Sequence, residues 1–177
     1  MEKEVYFREE SERNSCYGQI YFDFIDYAFS KADYFMLVFV NYYGNGYKSK
    51  QKYFMDKLKK YKVKTRTNPY WPGTPGTFSQ NSTYKIVFYK TEPDAKEILK
   101  EVDGISAWSR PGMPEDLAFF KKNQCWFYSV GHEHIASMQH IDTDDLAFIE
   151  SKGLASEKDV LVMPDKFSTL YDEQIEK

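Results

Sequence analysis

A chain of 177 residues with 18% aromatic side chains, 15 Tyr and 14 Phe among them, has material for one well-buried domain and excludes a disordered one. Its net charge of −3 is unevenly placed: residues 48–66 hold nine basic side chains against one acid, +8, which leaves −11 on the remainder. The longest apolar run, residues 34–40, falls far short of the roughly 20 needed to cross a bilayer, the opening MEKEVYFREE lacks the basic-then-apolar order of a secretory leader, and Cys16 and Cys125 suit free thiols in a reducing compartment, so a cytoplasmic protein away from the membrane is expected.

In chain order, Tyr17, Ile20, Phe24, Tyr27 and Ala28 follow one helical face, with Tyr21 and Ile25 widening it, and predict a helix over about 11–30. DYFMLVFV then reads as a strand apolar on both faces, central in a sheet and closed by a Gly44-Asn45-Gly46 turn. Phe54, Leu58 and Tyr61 stripe a second helix over about 48–61, its lysines outward. A long Pro/Gly-rich connection over 67–83 carries Tyr70, Trp71 and Phe78, and loops of that length are uncommon unless they serve a function.

TYKIVFYK is the next strand. TEPDAKEILKEVDG is a helix with Pro93 in its first turn, an Ala95, Ile98, Leu99 and Val102 stripe, and Gly104 at its close. A second Pro/Gly loop bears Trp108 and Arg110. DLAFFKKNQCWFYSV predicts a hairpin turning at 121–124, and a short helix after Asp142 ends on Gly153 and Leu154 in a Schellman pattern. VLVMP supplies a last strand. The sum is a single-domain α+β fold: a mixed β-sheet of one parallel βαβ unit plus a β-hairpin, with helices packed on it.

All three histidines lie in WFYSVGHEHIASMQHID. On a continuous strand His132 and His134 share a face roughly 7 Å apart, a spacing from which two imidazoles can hold a divalent metal, with Glu133 as base if the chain bends at Gly131. His140 then sits roughly 20 Å further on, too far to join them. The His-x-His pair resembles the opening of a metallo-β-lactamase motif, but Ile135, Ala136 and Ser137 stand where that motif continues with Asp and His. No phosphate loop, dinucleotide-binding glycine turn, G-x-S-x-G elbow or calcium loop is present in the sequence.

Those absent motifs favour a non-catalytic binding protein, regulatory or toxin-neutralising in kind, that meets a protein partner through Tyr70, Trp71, Trp108 and Arg110, types enriched at interfaces, with Glu133 beside them. The alternatives are a metal-dependent hydrolase on His132 and His134, and nucleic-acid binding through Lys50, Lys52, Lys57, Lys59 and Lys60 with aromatic rings downstream.

Overall fold

The computed structural model describes residues 2–76 and 81–176, so Phe78 lies outside the described residues. The elements are β1 (Glu2–Tyr6), β2 (Glu9–Glu10), β3 (Arg13–Asn14), α1 (Gln19–Lys31), β4 (Tyr34–Asn41), α2 (Ser49–Leu58), β5 (Lys62–Arg66), β6 (Thr83–Lys90), α3 (Pro93–Leu99), β7 (Glu115–Lys121), β8 (Gln124–Val130), β9 (Ile135–Gln139), α4 (Thr143–Ser151) and β10 (Leu161–Met163). The fold is α+β. Eight strands form one sheet in the order β10-β1-β9-β8-β7-β4-β6-β5, while β2 and β3 make a separate small hairpin.

β4 shows why the sheet is buried on both sides. Its side chains alternate, Phe35, Leu37 and Phe39 toward the helices and Met36, Val38 and Val40 away from them, and both sets are sealed. The helical side holds the larger core, where Phe24 of α1 meets Phe127 and Phe119 at ring-centroid distances of 4.7 and 6.0 Å. On the other face Phe88 meets Phe120 at 5.6 Å, and Trp71, Tyr171 and Ile175 cover them from the loop after β5 and from the C-terminal segment. Helices thus pack on one face, and irregular chain covers the other.

The predicted parallel βαβ unit is not formed. β4 and β6 pair antiparallel over their whole length, from Tyr34 opposite Lys90 to Asn41 opposite Thr83. The reason is β5, whose Lys-Val-Lys-Thr-Arg alternation the helical reading absorbed into a charged run. It reverses the chain once more and pairs antiparallel with β6 at the sheet edge, where lysines protect an open strand. β4, α2, β5, β6, α3 and β7 therefore make a β-α-β-β-α-β unit ordered β7-β4-β6-β5, the connectivity of ferredoxin-like sheets.

α1 also begins later than its periodicity predicts, because Ser11 at φ +52° and Gly18 at φ +62° turn the chain through β2 and β3 first. Its buried residues are Tyr21, Phe24, Ile25 and Ala28, so the stripe is rotated toward the two residues that had only widened it. The α4 ends form as predicted. Asp142 accepts from the Asp145 backbone N–H at 2.8 Å, and Gly153 and Leu154 donate to Glu150 and Ile149. No helix among the described residues is long and apolar enough to cross a membrane.

Candidate functional site

A polar concavity of the sheet's non-helical face lies at the start of β7. Three stretches of chain meet there: the 70–76 loop, the 105–116 loop and the 131–133 turn. Trp71-Pro72-Gly73-Thr74 is a tight turn in which Trp71 and Thr74 exchange both backbone hydrogen bonds, with Gly73 at φ +82° as a type II turn requires at that position. Gly73 also lies flat on the sheet, since a Cβ there would stand 2.7 Å from Val130 and 2.8 Å from Tyr128. Gly131 is tighter still: its Cβ would overlap the carbonyl oxygen of Trp108. These two glycines let the three segments close on one another.

Asp116 is the knot that ties them. It is 2% exposed and holds φ +60°, a left-handed conformation that Asp adopts more readily than most residues. Its Oδ1 accepts from the Gly131 N–H at 2.9 Å, its Oδ2 accepts from the Trp71 indole N–H at 2.8 Å, and its own N–H donates to the Trp108 carbonyl at 3.2 Å. Burial pushes the Asp116 carboxyl up to about 7; the Trp71 and Gly131 donors and Arg110 oppose that shift, and neighbouring Glu115 reinforces it. A carboxyl raised by burial at the edge of a cavity makes this the candidate functional site.

Around Asp116 the cavity measures about 390 Å³. Buried Glu115 accepts from the Tyr42 hydroxyl at 2.6 Å, which together with burial drives that phenol well above its ordinary range. The exposed Arg110 stands 3.8 Å from Glu115 through Nε and 2.8 Å from the His132 Nε2 through a terminal nitrogen. His132 in turn lies 3.7 Å from Glu133. Trp71 and Tyr84 form a tilted aromatic wall, centroids 5.5 Å apart. With Asp116 ionised, three carboxylates face one guanidinium, so the cavity carries negative charge beside ring faces, a combination that suits an organic cation.

Arg110, Trp71, His132 and Glu133 therefore gather at one place, although their chain positions are far apart. Trp108 does not join them as a surface residue. It is fully buried, donating its indole N–H to the Tyr21 hydroxyl at 3.0 Å and packing edge-on to Phe54 at 5.1 Å, because its loop folds inward to present the Trp108 carbonyl to Asp116 and Gly131. Tyr70 is half exposed on the far side of the same turn, with the Arg66 guanidinium 4.9 Å above its ring.

The strand geometry behind a His132 and His134 pair is absent. Residues 131–133 form one turn of 3-10 helix, and His134 follows at φ +60°, so the alternation that would align the rings is broken. His132 turns to Arg110, while His134 Nδ1 lies 3.3 Å from the Ser106 hydroxyl and its carbonyl accepts from the Asn14 amide. His140 Nδ1 lies 2.9 Å from Glu2 at the other end of the sheet. Among the described residues no three His, Cys, Asp or Glu side chains are placed to share a metal ion.

Glu115, Asp116 and Tyr84 were not singled out by sequence. The signal was two adjacent acids opening an otherwise apolar strand, EDLAFF, where water-facing residues are not needed. Asp145 shows that burial alone is insufficient. It is fully buried too, yet it serves α4 as part of the capping box and receives Tyr27 and Trp126 at 2.7 and 3.1 Å. Lys50, Lys52, Lys57, Lys59 and Lys60 are exposed on and just after α2, whereas Lys64 and Arg66 are engaged by the C-terminal segment at Gln174 and Glu173. Compared with known proteins, the chain matches no family model, no curated protein and no solved structure.

Proposed function

We propose that the protein is a non-catalytic binding protein of the cytoplasm that recognises a protein partner through a cationic side chain, Lys or Arg, seated in the Asp116 pocket. The observation that carries this is the pairing of two buried carboxyls, Glu115 and Asp116, with the Tyr42, Trp71 and Tyr84 rings around an open cavity. Ring faces and carboxylates together favour a desolvated cation over water. Buried free thiols at Cys16 and Cys125, both pushed up by burial, support a reducing compartment and inert cysteines. A regulatory or toxin-neutralising role accords with this class by analogy alone.

Titrating the protein with short peptides that carry a single Lys or Arg, against the same peptides with Gln, tests the reading. Chemical-shift changes at Trp71 and Gly131 with the cationic peptides alone are expected. Equal changes with the Gln peptides would refute it.

One observation favours a second reading. A carboxyl near neutrality beside Glu115 and His132 is also placed for proton transfer, which would make the pocket an acid–base site. Turnover of a small amide or ester that is lost in Asp116→Asn would establish it.

A further inference from the structure

On the other side of the sheet, a second cavity opens between the last turn of α2 and the β5–β6 edge. Strand alternation puts Lys85, Val87 and Tyr89 of β6 on this helical face, while Tyr84, Ile86 and Phe88 face the Asp116 side. α2 supplies Met55 and Asp56, the turn after it Lys59, and β5 Lys62, enclosing about 370 Å³. Three lysines, Lys59, Lys62 and Lys85, thus line one concavity. Among the described residues none of the three lies within ion-pair distance of a carboxylate; Lys85 is only drawn to the Tyr47 ring, 5.5 Å from its centroid. In a chain of net charge −3 that is a local excess of positive charge, with Asp56 the one acid in the cavity lining.

The opposing charges offset about half of this and leave a net positive site. Asp56 contributes one negative charge and the carboxyl end of α2 about half of one, against three positive charges. The Tyr89 hydroxyl also has no protein hydrogen-bond partner among the described residues, and its ring, stacked on Phe35 at 5.0 Å, forms a fixed floor.

We propose that Lys59, Lys62 and Lys85 form a binding site for a phosphate monoester carried on a small molecule. The phosphate sits among the three ammonium groups, and the organic part lies against Met55, Val87 and the Tyr89 ring. A phosphate monoester carries close to two negative charges at neutral pH and offers three acceptor oxygens, which matches three lysines better than a carboxylate does. A small molecule fits better than a nucleic-acid strand. A strand needs a continuing row of free cations, and the row along β5 is interrupted where Lys64 and Arg66 are engaged by Gln174 and Glu173.

The test is calorimetric titration of the whole chain with adenosine monophosphate, inorganic phosphate and a single-stranded oligonucleotide. Comparison uses Lys62→Gln, Lys85→Gln and, as a control on the same helix, Lys50→Gln with Lys52→Gln. Expected is saturable binding of the monophosphate, weakened about tenfold or more by either pocket substitution and unchanged in the control. Inorganic phosphate competing with the monophosphate supports phosphate as the recognised group. Three results overturn the proposal: no binding, equal weakening in the control, or an oligonucleotide that binds more tightly than the monophosphate and depends on Lys50 and Lys52. Folding of each variant is checked by its melting temperature, and substitution at these half-buried or exposed positions leaves it near the parent's.

Discussion

The Trp71 indole N–H donates to Asp116 Oδ2 at 2.8 Å across a sequence separation of 45 residues. That bond closes the 70–76 loop over the start of β7. Trp71→Phe keeps an aromatic ring but loses the second ring and the donor, leaving one buried carboxyl oxygen unpaired. A loss of about 1–3 kcal/mol in urea unfolding is expected, and the Asp116 carboxyl rises further from its ordinary range because a bond to its charged form is gone. Unchanged stability with an unchanged titration midpoint would show that the bond is not formed in solution.

The pH dependence of stability follows from the same carboxyl. An unfolded aspartate titrates near 3.8 and Asp116 near 7, so between these values the folded state keeps a proton that the unfolded state has released. Stability therefore falls as pH rises from about 4 to about 7, by on the order of 4 kcal/mol for a shift of this size at a buried site. Asp116→Asn removes that component, and Asn tolerates the positive φ. Denaturation curves across this range should show the variant gaining on the parent as pH rises. Parallel curves would contradict the raised carboxyl.

Gly131 carries the sterics of the junction. In Gly131→Ala the new methyl meets the Trp108 carbonyl, which is backbone and cannot swing aside. A destabilisation of about 3 kcal/mol or more is expected, with loss of the Gly131 amide's protection from hydrogen exchange. A fully stable variant would mean the turn and the Trp108 loop are not in contact.

Asn123 is one anchor of the C-terminal segment, its Oδ1 accepting from the backbone of Ile175 at 3.0 Å and Glu176 at 2.7 Å. Beneath it Cys125 is fully buried, its N–H donating to Asp172 at 3.1 Å. In Asn123→Ala the segment loosens, and the Cys125 thiol should react with a thiol reagent several-fold faster under native conditions, with Cys16 as the unreactive internal reference. No change in rate would show that other contacts suffice to hold the segment.

How much of this was readable in the sequence varied with the physics involved. α3 and α4 announced themselves through Pro93, Asp142 and Gly153, because caps are local chemistry. β4 was recognisable as a central strand from its apolar run. β5 was not, since an edge strand guarded by lysines has the composition of a solvated helix face, and missing it turned an antiparallel pair into a parallel one. The pocket was half visible: Trp71, Arg110, His132 and Glu133 stood out by type, but Asp116 matters only because Gly73 and Gly131 bring distant loops onto it. Trp108 misled for the converse reason. A tryptophan in a Pro/Gly loop can face inward as readily as outward, and only tertiary packing decides.

The most direct measurement is calorimetric titration with methylguanidinium at about pH 5.5 and about pH 8.5, on the parent protein, on Asp116→Asn and, to remove the imidazole at the rim, on His132→Gln. The Asp116 pocket predicts saturable binding that tightens about tenfold or more at the higher pH, a tightening kept in His132→Gln and abolished in Asp116→Asn. Binding that is absent at both pH values, or that is equally strong in Asp116→Asn at the higher pH, would contradict cation recognition at this site.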